Sequence, residues 1–582
     1  MPDSNTIRVA VAQCSIGDDL EQNLQTCLRM LDKAAECQPD LVVLPEFCNH
    51  LSWYDDRSHC HRVSLQIGGG FLKTIAAKAS QLGFHVVINA TLREGKEGAT
   101  GTSLLFSPNG ELLGSSDKQV LMGHENDFLT KATGPSPIVE TPLGRLAMYA
   151  CMDGVINETP RCLSLRGAQV LCNSLNSFAS DEGSLHIPVR AAENRVFVAA
   201  ANKVGPLIPA ELLGPVSAAT GIPEHFLYGA GESQIVAPDG TVLAIASIDQ
   251  EEVVWADIDP SQADDKSMAD GTDIYAARRP ELYTAIGENP ESQALASPVG
   301  DQPVSVAVQE PKTCGPAALN SACEVLSDRS ISWLALPELF YLESVEISDI
   351  PAAITAGKAA IEQLAAACAP GQYVSTSVVN ELNEGATLSA VLIGSHGLVL
   401  RQDLLHASAQ YPWANLGHEV AHADLEIGRV AVVPGPDSRY PEYFRLLALA
   451  GVEIAAVGIS PCEAWELRTG LVERAAENRI NLLVAARPGS LAQDSGTRGF
   501  IASLQGDFTL LTPWAERAFD GLLSQPELTA CGPAGSITTA NIYPAHAANK
   551  VVSRGTDLLR GRPWYLASPI TNRSDQEKGI AP

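Results

Sequence analysis

The sequence predicts a layered α/β protein built twice. Two observations predict it. Short apolar, β-rich runs alternate with amphipathic helical patterns, as in sheets covered by helices. The whole alternation then returns downstream at a nearly constant spacing. "GRLAMYACMDG" at 144–154 answers "GRVAVVPGPDS" at 428–438, 284 residues later. Both copies read Gly-Arg, an apolar run, then Asp nine residues after the Gly, but Cys151 in the first is Gly435 in the second.

In order along the first copy, "TIRVAVAQC" is a short β-rich strand. "DDLEQNLQTCLRMLDKAAE" puts Leu20, Leu24, Cys27, Leu28, Leu31 and Ala35 on one helical face, with Asp18 or Asp19 placed to cap. "DLVVLPE" is a strand, "GGGFLKTIAAKASQLG" a helix and "FHVVINA" a strand. "TSLLFSPNGELLGSSDK" is a hairpin with a Pro-Asn-Gly turn. "GRLAMYAC" is a strand, "ETPRCLSLRGA" a helix and "QVLCNS" a strand.

The second copy follows in register. "RAAENR" at 190–195 recurs unaltered at 474–479, and "ADIDPSQADDK" at 256–266 faces "ANIYPAHAANK" at 540–550, both 284 apart. Upstream the register slips, "VVLPEF" at 42–47 matching "LALPEL" at 334–339. "IGENPESQALASPVGDQP", 286–303, is Pro/Ser/Gly-rich without apolar periodicity and reads as a linker. The expected division is 1–285, linker 286–303, and 304–582.

Composition narrows the function. At 582 residues the chain exceeds one ordinary domain. A net charge of −29 argues against nucleic acid or an anionic membrane surface as partner. No run reaches the length of a membrane helix, and "MPDSNTIRVAVAQ" lacks the pattern of a signal peptide. The 13 cysteines show no framework spacing and read as reduced thiols in a cytoplasm.

Three stretches carry chemistry. Glu46 in "VVLPEF" sits at the carboxyl end of an apolar strand, where desolvation raises a carboxyl pKa toward proton transfer. Lys118 follows the hairpin. Cys151 ends an apolar strand just before a helix, where a thiolate gains from the helix N-terminus and a lysine. The peptide N–H after such a nucleophile can serve an oxyanion hole. "CNHLSWYDDRSHCHR", 48–62, also gathers Cys48, His50, His59, Cys60 and His61. Its spacing is not that of a zinc site, and it reads instead as a pocket-lining loop presenting Trp53 and Tyr54. The triple Gly at 68–70 has no following Lys-Ser/Thr and is no phosphate loop.

"LPEF", "DKQV" and "CMDGVINE", with "GHENDFLTKATG", the "AAENR" helix and "RRPELY", resemble the nitrilase (carbon–nitrogen hydrolase) superfamily across the whole first copy. The resemblance implies a four-layer α-β-β-α sandwich in two tandem copies. It implies a Glu-Lys-Cys triad with Cys151 as nucleophile, Glu46 as base and Lys118 facing the oxyanion, while Glu125 orients the site and the leaving nitrogen. Trp53, Tyr54, Met152 and Asp153 are the expected substrate neighbours. No metal or other cofactor is implied.

The second copy retains Glu338 and the Pro-Glu at 441–442, but Gly435 removes the thiol and "RQDLLH", 401–406, offers no lysine. It reads as a catalytically degenerate copy. Since members of the family pair sandwich to sandwich, its expected use is to cover an apolar face of the first copy as an internal pseudo-dimer, with further homo-oligomers possible. Within the family, Met-Asp after the nucleophile, in place of Trp-Glu, implies amides rather than nitriles. Gly154 and Val155 stand where some members place an arginine for a substrate carboxylate, leaving Arg57 or Arg62 as substitutes. The expected substrate is a neutral, partly apolar amide or carbamoyl compound. A nitrilase, or an acyl transferase in which an amine replaces water, is the alternative.

Overall fold

The side chains of the first strand have two destinations. In the computed structural model, which describes residues 5–292, 297–489 and 498–572, β1 (Ile7–Gln13) turns Val9 and Val11 to one side and Ala10 and Ala12 to the other. That is the period-two alternation of a strand buried on both faces. Ala10 and Ala12 meet Leu24, Cys27 and Leu31 of α1 (Leu20–Ala35). After the short α2 (Arg57–Val63), α3 (Gly70–Leu82) adds Leu72 and Ile75 to the same cluster. Asp19 caps α1, its carboxylate accepting from the Gln22 N–H at 2.8 Å. Val9 and Val11 instead meet Leu146, Leu171 and Val198 of a second sheet.

The first sheet joins β1 to β2 (Leu41–Val43), β3 (His85–Glu94), β4 (Gly98–Phe106) and β5 (Leu112–Asp117). The second contains β6 (Ile138–Thr141), β7 (Gly144–Ala150), β8 (Val170–Ser174), β9 (Phe197–Ala201), β10 (Gln234–Val236) and β11 (Val242–Ile245). β12 (Glu252–Ile258) returns to the first, giving orders β12-β1-β2-β3-β4-β5 and β11-β10-β9-β8-β7-β6. Between β5 and β10 lie α4 (Glu125–Phe128), α5 (Met152–Val155), α6 (Glu158–Leu165), α7 (Ile187–Asn194) and α8 (Leu213–Thr220). α6 and α7 pack against β7 and β9, completing helix, sheet, sheet, helix.

The second copy repeats this plan. Its strands are β13 (Val304–Gln309), β14 (Trp333–Ala335), β15 (Tyr373–Leu382), β16 (Gly385–Gly394), β17 (Gly397–Asp403) and β18 (Ala423–Leu425). They continue with β19 (Gly428–Pro434), β20 (Ile454–Ile459), β21 (Asn481–Ala486), β22 (Phe500–Ser503), β23 (Glu527–Ala530) and β24 (Ile537–Ile542). The orders β17-β16-β15-β14-β13-β24 and β18-β19-β20-β21-β22-β23 match the first copy strand for strand.

Two findings go beyond the repeat read in the sequence. First, the constant register hides two length changes that cancel. β9 and β21 stand 284 apart, since Val198 pairs with Leu171 as Leu482 pairs with Ala455. Yet Val236 pairs with Val198 where Ala502 pairs with Leu482, a separation of only 266. The β9–β10 connection, 202–233, has shortened to 487–499, while the β10–β11 turn, 237–241, has grown into a loop over 504–526. Second, the compact units do not end where the repeats end. One comprises 1–265, 507–523 and 551–582; the other comprises 266–506 and 524–550. Each repeat thus sends its C-terminal tail to the other's unit. In the first unit, the Gly123 N–H donates to Thr556 Oγ1 at 2.9 Å and the Tyr565 hydroxyl to the Ala132 carbonyl at 2.6 Å. In the second, Arg278 Nε lies 3.0 Å from Glu442 Oε1, and the Tyr283 hydroxyl 2.5 Å from His406 Nε2. Of the expected linker, residues 293–296 lie outside the described residues; beyond them the Val299 and Gly300 N–H groups donate to Glu453 at 2.9 and 3.1 Å.

Candidate active site

Glu46 lies three residues past β2, where the chain turns sharply. Phe47 takes φ 50°, its N–H donating to Asn89 Oδ1 at 3.0 Å, and the Glu46 N–H is held by the Leu175 carbonyl at 3.1 Å. A left-handed bulky residue is costly and persists only where its surroundings hold it. The turn fixes a fully buried carboxylate against Lys118, which leaves the end of β5. Lys118 Nζ is 2.8 Å from Glu46 Oε1, and 2.9 and 3.1 Å from the two oxygens of Glu125. Glu125 opens α4, and its Oε2 also accepts from the Met122 N–H at 2.9 Å.

Burial works against the Lys118 ammonium, but the carboxylates of Glu125 and Glu46 outweigh it and hold its pKa well above the ordinary lysine range. Desolvation raises Glu46 to about 7 even though Lys118 pulls it down. Glu46 Oε2 has no hydrogen-bond partner among the described residues.

Cys151 stands at the junction of β7 and α5 with φ 46° and ψ −109°, an unusual conformation for a residue with a side chain. Its N–H is shared between the Ser174 carbonyl at 3.1 Å and Asn173 Oδ1 at 3.2 Å. Burial, then the Glu46 carboxylate, push the thiol well above its ordinary pKa against the pull of Lys118. The resting group is therefore the neutral thiol, and a base has to take its proton before it can attack. The Met152 N–H opens the turn of α5, where helical amides lack intrahelical partners.

The other expected neighbours separate. Asp153 is buried and braces the backbone: Oδ1 accepts from the Gln119 and Val120 N–H groups at 3.0 and 2.7 Å, and Oδ2 from Ala150 at 3.2 Å. It ties the segment carrying Lys118 to the elbow carrying Cys151. Burial raises it to about 7 against those three donors. Met152 packs into an apolar cluster with Val120, Val552 and Leu558. Tyr54 is buried against Phe128, with ring centroids 5.3 Å apart. None of the three lines the cavity into which Cys151 opens; Trp53 does, beside His124. In the 48–62 segment, His50 Nδ1 meets the Leu51 carbonyl at 2.7 Å and His59 pairs with Asp55 at 3.1 Å. Among the described residues no three His, Cys, Asp or Glu side chains are grouped to hold a metal ion.

That cavity, about 430 Å³, is lined by Glu125, Cys151 and Asn176, by Ser52, His124, Thr220 and Ser553, and otherwise mostly by apolar side chains. A role of the second repeat at the pocket mouth was expected from sequence, but not the residues that supply it. Leu510, Leu511 and Phe519 come from the 504–526 loop of the second repeat, and Ser553 from its tail. The available signal was the loss of similarity between "RAAENR" and "ADIDP", despite the unbroken spacing.

In the second unit strand register places Leu404 where Lys118 stands, since Asp403 pairs with Ser389 as Asp117 pairs with Thr102. Glu338 keeps the buried position and is raised to about 7 by desolvation, but its partner is the Tyr411 hydroxyl. Asp437 retains the brace, its Oδ1 accepting from His406 N–H at 3.0 Å and its Oδ2 from Leu405 N–H at 2.9 Å. The elbow has relaxed: Gly435, although glycine, lies outside the left-handed region. A Cβ there would stand 2.6 Å from Glu338 Oε2.

The two pairs of six-stranded sheets, covered by helices, define an α-β-β-α sandwich carried in tandem. Residues 8–266 match the carbon-nitrogen hydrolase family, and the first half of the chain belongs to it, within the nitrilase superfamily. The nitrilase and fragile histidine triad fusion protein NitFhit of Caenorhabditis elegans is 28% identical over 300 residues, covering 47% of this chain and 61% of that protein. A nitrilase of Pyrococcus abyssi is 25% identical, covering 45% of this chain and 93% of its own length. The N-carbamoylputrescine amidase of Solanum tuberosum is 26% identical, covering 49% and 97%. Among solved structures, a double mutant of the amidase from Nesterenkonia sp. AN1 in complex with acrylamide is 23% identical with a TM-score of 0.38, covering 46% of this chain and 95% of that one.

Proposed function

We propose that the first unit hydrolyses the carbon–nitrogen bond of a neutral amide through a thioester on Cys151. The observation that carries this reading is the buried Lys118 ammonium held between Glu46 and Glu125, beside a thiol on a strained elbow that opens into a cavity. Glu46 takes the thiol proton, and the sulfur attacks the amide carbonyl carbon. Charge gathers on the carbonyl oxygen, where Lys118 and the Met152 N–H stabilise it. The carbon–nitrogen bond breaks as Glu46 delivers its proton to nitrogen, and ammonia or an amine departs. Water then attacks the thioester, giving its proton to Glu46; carbon–sulfur cleavage releases the acid, and the proton returns to sulfur. Glu125 positions the ammonium and faces the departing nitrogen. Met152-Asp153 after the cysteine supports amides over nitriles. Neither Arg57 nor Arg62 lines the cavity, which supports a substrate without a carboxylate.

Intact-protein mass spectrometry after mixing with a panel of amides tests this: an acyl adduct on Cys151, absent from Cys151→Ala, is expected. Turnover without any adduct, or retained by Cys151→Ala, would overturn it. Matched amides and nitriles of one acyl group should show the higher kcat/KM for the amide.

A further inference from the structure

We infer that the second repeat sets the specificity of the first unit's site: its 504–526 loop forms the wall of a hydrophobic subsite, and the substrate is an amide bearing a medium-length alkyl or aryl-alkyl group. This rests on the reading above for the reaction, though not for the binding.

The loop replaces a five-residue turn, 237–241, of the first repeat, yet it is folded against the first unit's own elements. The Leu523 N–H donates to Asp181 Oδ1 at 2.9 Å, the Ser180 N–H to the Gly521 carbonyl at 3.1 Å, and the Leu510 N–H to the Val552 carbonyl at 2.7 Å. Gly521 lets the chain pass Phe226 so closely that a Cβ would stand 2.3 Å from its ring. Phe519 packs on Phe178 and Phe226, centroids 5.7 and 5.1 Å apart. These anchors set Leu510, Leu511 and Phe519 in the cavity wall together with Val216 and Ile222 of the first repeat, Ile222 sharing an apolar cluster with Leu510 and Phe519.

Leu511 is the informative residue. It is 58% exposed and takes φ 62°, so a large apolar side chain sits where neither burial nor backbone preference favours it. Folding gains little from this leucine, whereas its position on the rim suits contact with an apolar ligand. Among the described lining residues Glu125 is the only Asp, Glu, Lys or Arg, and it is paired with Lys118. A cavity of about 430 Å³ far exceeds what acetamide fills and lies in the usual range for small-molecule sites.

The test measures binding and turnover separately. Calorimetry with full-length Cys151→Ala compares acetamide, hexanamide, 3-phenylpropanamide and N-hexylacetamide; hexanamide against N-hexylacetamide reports which side of the scissile bond the subsite takes. Affinity should rise with the apolar group. Adding Leu511→Gly or Leu511→Asn should lower the preference for the large amide over acetamide about tenfold, as loss of one apolar contact does. Both replacements tolerate φ 62°, so the melting temperature should hold or rise. In the Cys151 enzyme the ratio of kcat/KM values should move in parallel. Affinity that does not grow with the apolar group, or a preference unchanged by both Leu511 variants, would overturn the subsite. Growing affinity with no adduct at Cys151 would support the subsite and overturn the proposed reaction.

Discussion

Burial works against the charge of Glu46, and the proposed reaction needs that charge. Desolvation lifts its pKa to about 7 and Lys118 only partly offsets the rise, so the base that takes the thiol proton is ionised only as pH passes about 7. The kcat/KM profile should climb with unit slope through that region and level above it; a flat profile from pH 5 to 9 would exclude Glu46 as the base. Cys151→Ala, Lys118→Ala and Glu46→Gln should each lower turnover by at least about a thousandfold, as losses within a catalytic constellation do. Glu338 offers the control. It is buried and raised to about 7 chiefly by desolvation, but has neither thiol nor ammonium beside it. A folded-state pKa above the unfolded value means the folded state binds the extra proton, so stability falls as pH rises from 4.5 to about 7. Gln does not titrate. Glu338→Gln should therefore gain about 2 to 3 kcal/mol relative to the natural protein between pH 5 and pH 8, with turnover retained. Equal urea midpoints for the two proteins at both pH values would contradict this, and lost turnover in a folded Glu338→Gln would place Glu338 in the reaction.

At the scale of elements, the two elbows answer why one frame carries a cysteine and the other does not. The aspartate that both share is the part both need: Asp153 and Asp437 brace the backbone of the preceding hairpin in the same way. The Gly-Arg-apolar-Asp frame was legible because strand and brace leave a fixed spacing. The work of the aspartate was not, because a carboxylate beside a nucleophile reads alike whether it faces a substrate or backbone amides. Strands were legible through their apolar runs; the split of Val9 and Val11 from Ala10 and Ala12 was not, because a run apolar on both faces does not say which layer each face meets. The 504–526 loop was not, because it has no such run and its insertion is cancelled in the register by the shortened 487–499 connection. The relaxed elbow carries a prediction of its own. Restoring the thiol with Gly435→Cys, together with Leu404→Lys, in a Cys151→Ala background should give neither turnover nor an acyl adduct at position 435. The Cβ would meet Glu338 Oε2 at 2.6 Å, and the left-handed turn that presents Cys151 is missing. An adduct there would mean the second sandwich lost only its side chains and not its geometry.

For the whole molecule, exchanged tails make the first unit incomplete without the second repeat. Phe508, Leu510, Phe519, Leu523, Val552 and Leu558 share one apolar cluster with Val120, which follows Lys118, and with Met152, Val155 and Ile156, which follow Cys151. Burying six such side chains contributes on the order of 10 kcal/mol, which is the whole net stability of an ordinary domain. The tail also holds the segment bearing Glu125: Thr556 Oγ1 accepts from Gly123 N–H and donates to the Leu121 carbonyl at 2.9 Å each, and Tyr565 reaches Ala132 beyond it. A degenerate copy kept only as cover for an apolar face would leave the site itself intact when removed; here its loss opens the cavity wall and removes the contacts that hold the segment carrying Glu125. A fragment spanning residues 1–290, expressed alone, should therefore be poorly soluble or self-associated and lack measurable turnover. Truncating the full chain after Lys550 should cost turnover while leaving the second unit, which ends there, folded. Adding separately expressed 300–582 to that fragment during refolding should return activity, because it supplies both 507–523 and 551–572. Size-exclusion profiles and turnover rates, measured for the N-terminal fragment with and without its partner, decide the matter. A monodisperse fragment with full activity would show that the exchanged segments are dispensable and that neither fold nor site depends on the second repeat.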